Sequence, residues 1–188
     1  ADINVDAGNL QLDNGALLLS ITYSAAMGGN ITVNVARDIQ LNGTAPLNPI
    51  IPSGIATSNF SSGKSGNIDI FASNLALTQG SIINTINNGQ GDSGNLDINI
   101  LGNIGLRGIE PRTLSSTNIG STIFGKGKGG TVNLSTSNLI IEDGASVATS
   151  TLNSGNGGKI TINASESIEV RGSSPKGELI SRLCGSAH

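Results

Sequence analysis

The sequence predicts an all-β chain: a right-handed parallel β-helix, or solenoid, with three strands per rung and about six rungs, alternating between short rungs of 28 residues and long rungs of 36–37. Three observations predict it. One phrase recurs six times, apolar and polar residues alternate at period two within it, and the composition supplies small aliphatic side chains and turn formers. Hydrophobic residues make up 36% of the chain, aromatic residues 2% and charged residues 12%, with 27 glycines and no tryptophan, so a core of large side chains is hard to assemble. Short strands of Ile, Leu and Val are the alternative.

The phrase reads INVDAGNLQLDNG from Ile3, ITVNVARDIQLNG from Ile31, IDIFASNLALTQG from Ile68, LDINILGNIGLRG from Leu96, VNLSTSNLIIEDG from Val132 and ITINASESIEVRG from Ile160. The starts are 28, 37, 28, 36 and 28 residues apart, so short and long units alternate and two units make one repeat of 65 or 64 residues. The step from the first strand to the second alternates in the same register. It is seven residues in short units, as from Ile68 to Leu75, and eight in long ones, as from Leu96 to Ile104. The extra length of the long units follows LNGTAP (41–46), LRGIEP (106–111) and VRGSSP (170–175). Pro46, Pro49, Pro52, Pro111 and Pro175 all lie there. Proline cannot donate to a strand ladder, so these segments are expected as outward loops.

Within each unit, pairs such as Ile31/Val33 and Ile39/Leu41 mark two strands with one buried face. Counting back from the next unit aligns Leu18, Ile55, Ile83, Ile119 and Val147 as the inward residue of a third strand. Two positions later stand Ser20, Thr57, Thr85, Ser121 and Thr149, expected as a ladder of hydroxyls hydrogen-bonded along the stacking axis. Asn9, Asn74, Asn103 and Asn138 precede second strands, where a left-handed corner and stacked amides are expected. DNG, TQG and EDG end second strands as turns. Each inward aliphatic side chain contributes about 1.5–3 kcal/mol on burial, which stabilises stacked rungs but not an isolated one. A single domain over residues 1–177 is expected, with an irregular C-terminal tail over 178–188. The chain also begins in mid-pattern, which reads as a fragment of a longer protein.

Charge and chemistry narrow the function. A net charge of −3 and a pI near 5.0 argue against nucleic acid, whose phosphates call for clustered Lys and Arg. No apolar run approaches the ~20 residues of a membrane span. Cys184, the one cysteine, forms no internal disulfide and reads as an incidental free thiol; His188, the one histidine, leaves no transition-metal set. Neither GSTIFGKG (120–127) nor GKGKGG has the strand-to-helix setting of a nucleotide loop, so no cofactor is expected. GQGDSGNLD (89–97) resembles a calcium-binding nonapeptide, but the equivalent turns replace its Asp with Lys or Asn. The outward positions of the first strands read Asn4, Thr32, Asp69, Asp97, Asn133 and Thr161, placing Asp69 and Asp97 on adjacent rungs. That pair is the only candidate for carboxylate catalysis, as in a polysaccharide lyase or hydrolase. Solvated residues on a sheet face are the competing reading, and no catalytic, cofactor-binding or metal residue is assigned.

The phrases GGNITVNV (28–35), PSGIATSNF (52–60) and IEDGASVATSTLNSGNGGKITINAS (141–165) resemble the repeat region of filamentous haemagglutinin-like large exoproteins, especially the cyanobacterial type. The resemblance covers roughly residues 1–177. It implies a β-helical passenger of two-partner secretion, secreted or held at the bacterial cell surface in association with the outer membrane, exported by an outer-membrane transporter and commonly adhesive. The expected function is therefore a stiff, non-enzymatic scaffold for adhesion. Its partner would be a cell-surface glycan or matrix ligand, met by the loops at 42–53 and 107–116. The alternative is a carbohydrate-active β-helical enzyme using Asp69 and Asp97.

Overall fold

The computed structural model describes residues 1–152 and 156–187, with Ser186 and Ala187 described by their backbone alone. The first unit gives β1 (Ile3–Ala7), β2 (Leu10–Asp13) and β3 (Leu17–Thr22). The second gives β4 (Ile31–Val35), β5 (Asp38–Asn42), the loop strands β6 (Thr44–Ala45) and β7 (Asn48–Pro52), then β8 (Gly54–Asn59). The third gives β9 (Ile68–Ala72), β10 (Asn74–Thr78) and β11 (Ile82–Asn87). The fourth gives β12 (Leu96–Ile100), β13 (Asn103–Arg107), β14 (Ile109–Glu110), β15 (Ser115–Ser116) and β16 (Asn118–Ile123). In the fifth, β17 (Thr131–Glu142) runs through the first two strand positions before β18 (Ser146–Thr151). In the sixth, β19 (Lys159–Arg171) does the same before β20 (Arg182–Ala187).

These strands stack in parallel. The first and second strands form one ten-stranded sheet joined through β17, and the third strands form a six-stranded sheet in the order β3, β8, β11, β16, β18, β20. The protein is thus all-β, built of long parallel sheets of stacked strands, consistent with a parallel β-solenoid. Register follows the phrase: Ile3, Ile31, Ile68, Leu96, Val132 and Ile160 pair in sequence from unit to unit. Leu10, Ile39, Leu75, Ile104, Leu139 and Ile168 do so in the second strands. A one-residue slip would turn every inward side chain outward, which is why a buried face holds register so firmly. The difference between the seven- and eight-residue steps is absorbed as a bulge: Thr136 pairs with Ala164 and Asn138 with Ser167, so β19 carries the extra residue.

The inward side chains make one continuous core, in which Ile31, Ile68, Leu96, Ile104, Val132 and Leu139 are wholly buried. Leu18, Ile55, Ile83, Ile119 and Val147 align as expected, and Ser20, Thr57, Thr85, Ser121 and Thr149 align two residues later, all buried. Their hydrogen bonds correct the expected axial ladder. Thr57 donates to the Gly66 carbonyl at 2.7 Å and Thr85 to the Gly94 carbonyl at 3.0 Å, each nine residues on in its own unit. Thr149 reaches the Gly158 carbonyl in the same way, and Ser121 accepts the Gly130 N–H. In units two to five the hydroxyls close the glycine-rich corner.

Two further expectations are corrected. Asn9, Asn74, Asn103 and Asn138 are not left-handed; successive positive φ values fall instead at Asn14–Gly15, Gln79–Gly80 and Asp143–Gly144, the centres of the DNG, TQG and EDG turns. Two successive left-handed residues reverse the chain most tightly, and Gly at the second avoids a Cβ clash. The asparagines do bond along the axis: Asn138 Nδ2 donates to Asn103 Oδ1 at 3.1 Å, and Asn74 Nδ2 to Asp38 Oδ1 at 3.0 Å. Residues 178–188, expected as an irregular tail, supply β20, which pairs with β18 so that Leu183 lies beside Val147 and Cys184 beside Ala148.

Candidate functional site between the proline-bearing loops

The long units leave their second strands through Gly43, Gly108 and Gly172, with φ of 70°, 79° and 75°. A left-handed residue there turns the chain outward, and the loop folds back on itself. In unit two β6 pairs antiparallel with β7, in unit four β14 with β15, and in unit six Ser173 bridges Ile180. A hydroxyl residue stands just before the third strand of each long unit. Ser53 donates to the Asn42 carbonyl and accepts the Gly15 N–H; Thr117 donates to the Arg107 carbonyl and accepts the Gly80 N–H; Ser181 accepts the Gly144 N–H. Each hydroxyl also ties its loop to the tight turn of the preceding short unit. The sequence shows this device as Ser, Thr and Ser at one place in the long units.

The loops of units two and four are fastened to each other across the TQG turn. Glu110, only 5% exposed, accepts Thr44 Oγ1 at 2.9 Å and pairs with Arg112 Nε at 2.8 Å, while Arg112 Nη1 donates to the Pro46 carbonyl at 2.8 Å. The Arg112 guanidinium, its backbone N–H and Thr44 together hold the Glu110 carboxyl below its usual range, against the opposing effect of burial. Ser174 stands where Glu110 does in the preceding loop, and its hydroxyl accepts the Leu179 N–H within its own loop. In the acid's place, the Ser174 hydroxyl bonds within the loop of unit six and not to the loop of unit four.

A cleft of about 560 Å³ opens between them. Ile109 and Pro111 form one wall, Pro175, Lys176 and Glu178 the other, and Gln79, Arg107 and Asp143 line the base. Arg107 Nε bonds Asp143 at 2.8 Å and lies 3.6 Å from Glu142, which also holds Arg171 at 3.0 Å. The cleft therefore offers apolar proline and isoleucine faces beside fixed charges of both signs, a combination that suits a polar ligand with an apolar face. Its residues come from four successive units, which the sequence separates by up to a hundred positions. Loop 107–116 was expected as a contact region; the contribution of Pro175, Lys176 and Glu178 was not.

Asp69 and Asp97 are brought together as expected, opposite one another on β9 and β12. Asp97 Oδ1 accepts Asn133 Nδ2 at 2.6 Å, and Asp69 is raised above the usual carboxylate range, first by partial loss of solvent and then by Asp97. The pair lies on a flat sheet face between Thr32 and Asn133. Asp92, of the calcium-like turn, accepts the Lys128 N–H through its carboxylate at 2.8 Å. Cys184 is half-buried within β20, and His188 lies outside the described residues. No family model, curated protein or solved structure matches the chain.

Proposed function

We propose that this chain is a stiff, non-catalytic segment of a secreted or surface-anchored bacterial exoprotein, presenting adhesive loops from a rigid scaffold. In this reading it is a right-handed parallel β-helix of three strands per rung and about six rungs, short and long alternating. The observation that supports it is the unbroken parallel register from Ile3 to Ile160, with every loop of a long unit emerging at the same place. A stack of this kind transmits position along its axis without a hinge, because each unit is held by its neighbours' backbone bonds and shares their core. At the last unit Ile168, Val170 and Leu183 are each more than 40% exposed, so this edge of the stack presents apolar side chains. The resemblance to filamentous haemagglutinin-like exoproteins adds export through an outer-membrane transporter and residence at the cell surface.

The ligand assigned to the loops is a cell-surface glycan or matrix component, met at the cleft between Pro111 and Pro175. The test is binding of the purified chain to arrays of glycans and matrix proteins, beside variants Pro111→Gly/Ile109→Ser and Lys176→Gln/Glu178→Gln. Binding that both variants lose supports an adhesive cleft; binding that neither changes, or none at all, removes adhesion through these loops. The enzymatic alternative draws on the raised Asp69 carboxyl above Asp97. Turnover of a polysaccharide by the chain, abolished in Asp69→Asn/Asp97→Asn, would replace the scaffold reading with that one.

A further inference from the structure

The chain has four aromatic residues, and three of them fall in one exposed column. In units one to five the residue that follows the third strand is exposed: Tyr23, Phe60, Asn88, Phe124 and Leu152. Backbone bonds fix the column, since Phe60 N–H donates to the Thr22 carbonyl, Asn88 to Asn59, Phe124 to Asn87 and Leu152 to Ile123, all at 2.8–3.0 Å. Tyr23 and Phe60 stack with ring centroids 5.2 Å apart and planes 17° from parallel. Phe60 and Phe124 are each about half exposed, although a core of this composition could have used both rings. They stand two strand spacings apart, roughly 10 Å, with Asn88 between them.

The floor between the rings is backbone. Gly89 and Gly125 lie against the Ser61 and Gly89 carbonyls so closely that a Cβ on either would fall within 2 Å of the oxygen. A groove of about 530 Å³ is lined by Phe60, Asn88, Gln90 and Lys126; Phe124 does not line it and stands beside its lining residue Gly125. Two buried asparagines shape it: Asn59 and Asn87 accept the Ser61 and Gly89 N–H groups through Oδ1 and donate to the Gly63 and Gly91 carbonyls. These glycine turns carry Lys64, Lys126 and Lys128 against one acid, Asp92, whose carboxylate already takes the Lys128 N–H. In a protein of net charge −3 this edge is locally basic.

We propose that this edge binds a linear polysaccharide bearing carboxylate groups, laid along the stacking axis. A pyranose ring has an apolar face of C–H groups that packs on an aromatic ring, and its hydroxyls suit side-chain amides such as those of Asn88 and Gln90. A pyranose with its glycosidic oxygen is about as long as the ~4.8 Å strand spacing, so every second sugar of an extended chain meets a phenyl ring. Lys126 faces the carboxylate of the sugar over Asn88. The site lies at the opposite end of the third strands from the proline-bearing loops, so its failure leaves the cleft and the scaffold reading untouched.

The test is affinity of the whole chain for polygalacturonate, for neutral dextran and for polyglutamate, a polyanion without sugar rings. Polygalacturonate is expected to bind best. Phe60→Ala and Phe124→Ala should each weaken it about tenfold, and Lys126→Gln should reduce its preference over dextran. Phe71→Ala, which removes an exposed ring from the outer face of β9, should change nothing. Far-ultraviolet circular dichroism and thermal melting establish that each variant is folded. Equal binding of polyglutamate, equal binding of dextran, or insensitivity to Phe60→Ala/Phe124→Ala would each overturn the proposal.

Discussion

Replacing Thr57 and Thr85 with Val, singly and together, separates two ways in which a column of buried hydroxyls can stabilise a stack. Both threonines are wholly buried and neighbours in register, with Thr57 beside Thr85 on adjacent strands. Thr85 donates to the Gly94 carbonyl and accepts Ser93 Oγ, both at 3.0 Å; Ser93 Oγ has a second acceptor in the Thr85 carbonyl at 3.2 Å. Valine keeps the shape and leaves the Gly94 carbonyl as the one group without its donor. An orphaned buried acceptor costs about 1–3 kcal/mol. The added methyl returns roughly 0.8 kcal/mol. The net loss is then about 0.2–2 kcal/mol at Thr85, and similar at Thr57, which bonds only the Gly66 carbonyl. Because each hydroxyl closes its own corner, the two losses should add to within about 0.5 kcal/mol. Guanidinium unfolding followed by circular dichroism, run as a double-mutant cycle, measures this. A coupling above about 1 kcal/mol would refute the corner closure and restore an axial ladder.

Three other outcomes follow from the same geometry. Ile104→Ala, at a wholly buried site in the middle of the stack, should cost about 2–5 kcal/mol, read as a fall in melting temperature. The Glu110 carboxyl is held below its usual range, so the loop tie it makes is fully present above the ordinary carboxylate range and is lost as pH falls through the lowered value. The protection of the Arg112 amide against exchange, taken relative to its intrinsic rate at each pH, should therefore fall in acid in the native chain, and Glu110→Gln should lower it at neutral pH as well. Asp69 is shifted the other way, so its charge opposes folding at neutral pH. Asp69→Asn should raise the urea midpoint at neutral pH, and the difference from the native chain should vanish in acid, where both side chains are neutral.

How far the sequence alone reached can be seen residue by residue. It determined which aliphatic side chains face inward and which share a column, as with Leu75 beside Ile104, because strand side chains alternate at period two and a buried face admits one register. The tight turns were legible for a similar reason: Gly follows Asn14, Gln79 and Asp143, where the chain must be left-handed. Only the tertiary structure decided what each polar group bonds. For Thr85, a neighbouring hydroxyl one strand away and a carbonyl across the corner compete, and the path of the glycine turn selects the carbonyl. β20 escaped the repeat pattern because parallel pairing with β18 is made by backbone groups, which any side chain can accompany. Glu110 and Arg112 meet Thr44 and Pro46 across 66 positions because two outward loops project over the short turn between them. Tyr23, Phe60 and Phe124 form one column for the same reason. A stack brings together residues a whole unit apart, and only the length of each turn says which ones meet.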